Sequence, residues 1–441
     1  MLFGLMSLAT FASLGAGEEN PDLRGTHTEV IRLYRGCCSQ SLVLSDYTKP
    51  GLYTLTALLI HGEADFVMIK TGQVNIYILA GVLVRLGLRM GLHRDPSKIG
   101  DNISVFQAEM RRRLWHVIVQ VDQLASFHIG LPSMVSAIES DTECPRNLRD
   151  EDFDVDSVEL PPGRPDTERT PMAYTIAKSR LCNVFGMVAV QANKLSLPPY
   201  EEVMKTDTLL NEAYAMVPSF LLLVPLEFAI TDSADLIMKR FSLAMMFYRS
   251  RCVLHRKYLL KEKESHTFEY SRKASLDASM KLLHIQFSVH RAIQPDGALC
   301  KAVWFMSSLS VHDFLLAATI VYLNLIQGIE ARPKTPDSEQ PVMLQAIEKS
   351  YDVWNCARAT SEEAKKAANI LGLMLDKVKL AMSKNNGNSS NVSIPMADNM
   401  IGSEDAWMLG LSLNGKSFSI LVYTPGSDEA STAQLIHYKE L

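Results

Sequence analysis

The chain has 441 residues, 47% apolar and 21% charged, which supports a large buried core and excludes general disorder. A net charge of −5 and an isoelectric point near 6.1 exclude a free-standing module that binds by neutralising phosphates. Seven scattered cysteines without a C-x-x-C pair exclude a zinc ribbon or redox dithiol, and they suit a reducing compartment as small buried apolar groups.

The opening run MLFGLMSLATFASLGAG (1–17) is uncharged, and no Lys or Arg precedes it as a signal peptide requires. It is expected to be a core helix. In 73–92, Leu79, Val82, Leu83, Leu86 and Met90 recur at helical spacing, and Gly81, Gly87 and Gly91 permit close approach of a neighbouring helix. Residues 87–102, GLRMGLHRDPSKIGDN, contain His93-Arg94-Asp95, the triplet that opens the catalytic loop of protein kinases. That loop needs an Asn five positions after the Asp to hold magnesium, and position 100 is Gly. No Gly-rich phosphate loop, Val-Ala-Ile-Lys or Asp-Phe-Gly accompanies it. The triplet therefore reads as a turn that ends the helix, its charged groups binding partners nearby.

Residues 104–129 form the clearest helix, capped by Ser104, with Phe106, Met110, Leu114, Ile118, Val121 and Ala125 along one stripe. Gly130-Leu131-Pro132 ends it. Asp122 follows Trp115 by seven residues, on an indole-lined flank where a carboxylate needs a partner from another element. Arg94 is the candidate. The acidic, Pro-bearing stretch 141–171 reads as an extended surface loop rather than a packed element. Helical patterns return at 172–196, 201–216, 233–262, 268–293, 299–329 and 342–382, and His255-Arg256-Lys257 reads as solvated helix surface. The apolar runs 220–230 and 314–329 are read as interior helices, too short or too interrupted to span a bilayer. Residues 383–404 form a polar linker, and 405–441 a short, partly disordered tail of unknown role. The fold class is all-α, with several helices and irregular loops.

No metal-ligand spacing, nucleophile elbow, phosphate loop or dinucleotide fingerprint occurs, so no catalytic, cofactor or metal residue is assigned and no enzyme is expected. The 21 methionines admit an alternative, a small-molecule-sensing helical protein with an adaptable apolar pocket.

Three blocks within about 75 residues carry a specific resemblance. They are AGVLVRLGLRMGLHRDPS (80–97), FQAEMRRRLWHVIVQVDQLASFHIGLPSMV (106–135) and DTECPRNLRDEDFD (141–154). In this order and spacing they resemble the middle homology region of fungal zinc-cluster transcription factors. The matching positions are Gly91, Leu92, His93, Arg94, Asp95, Pro96, Glu109, Arg111, Arg112, Arg113, Leu114, Trp115, Asp122, Ser126, Gly130, Pro132, Asp141 and Pro145, with Asn147 and Asp150 beyond. All are read as structural. His116 and Leu131 depart from the family pattern, which often has Trp and Arg there.

The resemblance implies a regulatory domain over 1–330 with a helical extension at 331–382. It implies a nuclear regulator of RNA polymerase II transcription of metabolic or secondary-metabolite genes. The six-cysteine cluster that carries zinc and reads DNA in that family is not recognisable here, so zinc is expected only if a further N-terminal cluster exists. The expected partners are the transcription machinery or a DNA-binding protein, with DNA reached indirectly and no membrane. A homodimer and a small-molecule effector are compatible with the resemblance.

Overall fold

The computed structural model describes residues 1–385 apart from 16, 18–25, 69–72, 101–102, 195, 260–265, 303–304, 306–310, 331–338 and 360. These residues contain twelve α-helices and no strand. In chain order they are α1 (Leu2–Gly15), α2 (His27–Leu44), α3 (Leu52–Met68), α4 (Gln73–Arg89), α5 (Val105–His128) and α6 (Pro171–Asn193). Then come α7 (Tyr200–Ala215), α8 (Ala234–His255), α9 (Glu269–Ala292), α10 (Val311–Glu330), α11 (Gln340–Cys356) and α12 (Glu362–Asn385). The expected linker and tail lie outside the described residues from 386 onward, and α12 takes the first three positions assigned to that linker.

Two apolar clusters organise the first two-thirds of the chain. One joins α2, α3, α4 and α5 through Leu42, Leu55, Leu58, Leu83, Val84, Trp115 and Ile118. The other joins α6, α7 and α8 through Leu181, Leu210, Leu243 and Phe247. Helices α9 to α12 continue the same compact unit, with α10 packed among α9, α11 and α12. The stretch 311–329 of α10 is long and apolar enough to cross a membrane by composition, yet 61% of it is buried inside the bundle. Its Phe314, Ala317, Val321 and Leu325 face protein.

Several expectations need correction. Helix α1 forms where predicted but buries its small and hydroxyl residues, Gly4, Ser7 and Thr10, while Leu2, Phe3, Leu5 and Leu14 are exposed. A Cβ on Gly4 would stand 2.7 Å from Ile60, so the close approach of α3 selects the small stripe. The run 220–230 is not a helix. Pro218 and Pro225 break it into two 3-10 turns anchored by buried Leu221 and Ala229, and Phe228 is exposed. In α5, capped by Ser104 as predicted, the buried side is largely polar: Glu109, His116, Gln120, Asp122, Gln123 and Ser126. This helix is enclosed by α4, α6 and loops: Glu109, His116 and Asp122 meet loop backbone, and Gln120 donates to the Ser179 hydroxyl of α6.

At its C-terminal end, α5 meets α8 and α10. Arg249 pairs with Asp313 at 2.9 Å and lies over Phe127 and Phe185, at 4.7 and 4.9 Å from their ring centroids. His128 packs edge-on to His312, and burial pushes its pKa down to about 4, against an upward pull from Asp313. The folded state thus keeps this imidazole neutral. Its contribution is complete above the ordinary value of 6.5 and is lost as pH falls from there through 4, by about 3 kcal/mol in total. Urea midpoints measured from pH 7 to pH 4 will show this loss, and His128→Gln will flatten that part of the slope.

Candidate functional site

The structure gathers most of the motif residues around the N-terminal half of α5. Helix α4 ends at Gly91, whose φ of +67° lies in the left-handed region. Leu92 then turns back, its N–H donating to the Gly87 carbonyl, and its side chain is buried. Gly87 itself allows the approach of Trp115, 3.3 Å from where a Cβ would stand. Gly91→Ala will place a side chain at that positive φ and cost about 1–2 kcal/mol, read as a lowered thermal midpoint.

Asp95 is fully buried and fixes the turn. Its carboxylate accepts from the Ser97 N–H (3.0 Å) and hydroxyl (2.7 Å), capping the one-turn 3-10 helix Pro96–Lys98. It also accepts from Arg112 in a bidentate pair (2.8 and 2.7 Å) and from the Glu143 N–H (3.0 Å). Burial alone would raise its pKa. The bonds from Arg112, Ser97 and Glu143 outweigh burial and hold the carboxyl well below the usual range.

Arg94 is half-exposed and pairs with Asp141 at 3.0 Å, not with Asp122 as expected. Asp122 is fully buried and accepts from the Ser133 hydroxyl (2.7 Å) and the Val135 N–H (3.0 Å). Gly130, at φ +72°, turns the chain back over α5 and brings those donors to it. A local return loop thus supplies what was sought from a distant cation. Pro132 is exposed on this loop, and buried Ser126 lies one turn after Asp122.

The three consecutive arginines have different tasks. Arg111 donates to the Met90 carbonyl at 2.6 Å, which closes the C-terminus of α4. Arg112 takes Asp95. Arg113 bridges buried Glu109 (3.2 Å) and exposed Asp150 (3.0 Å) and stacks on Phe153. Leu114 packs at the edge of the first apolar cluster. The Trp115 indole N–H donates to Ser140 (2.9 Å), whose hydroxyl donates to the His93 carbonyl (2.9 Å). His116 is bonded to the Glu143 carbonyl (3.1 Å), and burial lowers its pKa.

The stretch 141–171 is an extended strap, but it is packed, contrary to expectation. Pro145, Asn147, Leu148 and Phe153 are buried. Glu109 accepts the Arg146 N–H (3.2 Å), Asn147 donates to the carbonyls of Arg164 and Pro165 and accepts from Thr170, and Arg164 holds Asp152. The roles of Ser140, Thr142, Glu143 and Asp152 escaped sequence reasoning because loop-backbone contacts have no periodic signal.

A second polar cluster was also missed. His255 is fully buried, not solvated. Its Nδ1 lies 2.9 Å from the Ser271 hydroxyl and its Nε2 3.1 Å from Asp207, joining α7, α8 and α9. The residue types are those of a nucleophilic triad. Ser271 and His255 have no exposure, however, so no substrate reaches the hydroxyl and the arrangement serves as a buried brace. The antiparallel return of α9 along α8 brings these residues together, and no local spacing announces it.

Among the described residues, no group of three His, Cys, Asp or Glu side chains is placed to hold a metal ion. The seven cysteines are all unpaired and scattered over six elements or loops, which does not fit a six-cysteine zinc cluster.

Residues 32–197 match the family profile described as fungal specific transcription factor domain. The chain is similar to the Zn(2)-C6 fungal-type transcription factor pigI of Monascus ruber, at 34% identity over 99% of this chain and 53% of that protein. It is also similar to the Zn(2)-C6 fungal-type transcription factor mpsB of Macrophomina phaseolina, at 38% over 84% of this chain and 50% of that protein. A third relative is the fusarisetin A cluster transcription factor fsa6 of a Fusarium species, at 36% over 86% and 51%. The chain spans about half the length of these relatives. No solved structure matches it. The strap, the turn and the arginine helix all fall inside residues 32–197, the part of the chain that matches the fungal specific transcription factor domain.

Proposed function

We propose that this chain is the regulatory part of a nuclear transcription regulator that controls RNA polymerase II transcription of a secondary-metabolite gene cluster. The observation that carries this reading is the domain match at 32–197, together with relatives named as cluster transcription factors. The motif residues support it from the physical side, since their charges hold loops to helices and are not directed at a substrate. On this reading the chain is not an enzyme. It acts through the transcription machinery or a DNA-binding partner, with regulation spread over 1–330 and a helical extension at 331–382. Homodimerisation and a small-molecule effector would be levels of control on the same domain.

Deleting the gene in its source organism, with RNA sequencing, tests this directly. Transcripts of a contiguous set of biosynthetic genes should fall together at least tenfold; an unchanged transcriptome would overturn the reading. The purified chain, net −5, should give no sequence-specific gel shift at physiological salt.

A further inference from the structure

Between residues 141 and 168 the chain crosses α5 with no helix longer than a single 3-10 turn. Among the described residues, this strap makes one backbone–backbone hydrogen bond to the rest of the protein, Asp141 N–H to the His93 carbonyl at 3.1 Å. Its other ties use side chains. Asp95 and Glu109 of the body accept the N–H groups of Glu143 and Arg146. Arg94, Lys98 and Arg113 reach the strap carboxylates Asp141 and Asp150, and Asp150 is 81% exposed. The strap carries ten Asp and Glu against three Arg, so it is an acidic extended segment seated on a cationic face.

We propose that 141–168 is a clasp that opens as one unit while α5 and α6 stay folded, and that the uncovered face then accepts an acidic extended segment of a partner protein. The seat has the two components such a ligand needs. The carboxylates of Asp95 and Glu109 take backbone N–H groups whatever the sequence, and Arg94, Lys98 and Arg113 select for acidic side chains. The Trp115 and His116 ring nitrogens add two fixed polar contacts beside them, to the Ser140 hydroxyl and to the Glu143 carbonyl. Opening costs little regular structure, because few main-chain bonds have to break. The outer ion pairs are exposed and hence screened by salt, so opening is favoured at high ionic strength.

Hydrogen exchange on the full chain tests the opening. The Glu143, Arg146, Asp152 and Arg164 amides should exchange together, at least tenfold faster than those of α5, and raising NaCl from about 0.05 to 0.5 M should accelerate only this group. Clasp amides exchanging no faster than α5 would overturn the proposal, as would equal acceleration of both. The partner chemistry is tested with a fluorescein-labelled synthetic peptide of residues 139–154. Phe153→Ala loosens the clasp from its own side: it removes the ring contacts with Phe106 and Arg113 and leaves every charged and hydrogen-bonding group of the seat in the chain. This variant should bind the peptide at least tenfold more tightly than the wild type. An equal affinity for the two chains would remove the partner site.

Discussion

Replacing Asp95 with alanine will lower the free energy of unfolding by about 3–5 kcal/mol, the largest loss expected from any single motif residue. The magnitude follows from what the substitution leaves behind. Arg112 is itself mostly buried, and without Asp95 its guanidinium has no counter-charge at its two bidentate positions. The Ser97 N–H loses its cap and the Glu143 N–H its acceptor, each a buried or half-buried donor with water partly excluded. Urea unfolding followed by circular dichroism measures the loss. Arg112→Met added to Asp95→Ala should recover part of it, since the double variant removes the uncompensated cation. A loss below about 0.5 kcal/mol for Asp95→Ala would mean that the pair is a dispensable surface contact. The sign with pH is fixed too. The folded carboxyl lies below its ordinary value of 3.8, so its stabilisation is present above that pH and is lost as acid protonates the group.

That aspartate shows how far the sequence could be read. His93-Arg94-Asp95 was correctly placed at the end of a helix because Gly91 and Pro96 are positional signals: one permits a positive φ, the other cannot continue a helix. The cap at Ser104 was legible for the same reason, being local. The partner choices were not legible. Arg94 and Arg112 both lie within reach of several carboxylates along the sequence, and only the path of the strap assigns Asp141 to one and Asp95 to the other. The stripe Phe106–Met110–Leu114 predicts a conventional apolar face for α5, but the polar side is covered as well, by the strap over Glu109 and by the return loop at 130–135 over Asp122, so both carboxylates are buried with loop donors as company. Periodicity locates a helix; it does not tell which loops will fold over it. His255 fails for a related reason. Flanked by Arg256 and Lys257, it looks solvated in one dimension, and it is buried by a hairpin return some 16 residues later.

Asp207→Asn will cost about 3–4 kcal/mol, an effect second only to the loss of Asp95. Asp207 is buried and receives four donors: His255 Nε2 (3.1 Å), the Tyr270 hydroxyl, Arg251 Nε (3.4 Å) and Asn211 Nδ2 (3.1 Å). Burial would raise its pKa, but the bonds from His255 and Tyr270 prevail and lower it, so the group is an ionised acceptor. Because a carboxylate only accepts, the His255 proton must sit on Nε2, and Nδ1 is then free to accept from Ser271. Ser271 in turn lies 3.0 Å from the Tyr200 hydroxyl, and the chain of donors runs in one direction from Tyr200 to Asp207. An asparagine has one acceptor oxygen and an NH2 that points donors at donors. At least one of the four partners loses its bond, since only the Tyr270 hydroxyl can turn to accept, and Arg251 loses its counter-charge. Ser271→Ala removes one neutral link of the chain, leaving Asp207 and its four donors in place, and should cost less, about 1–2 kcal/mol. Equal effects of the two substitutions in urea unfolding would show that the network is not polarised in this direction.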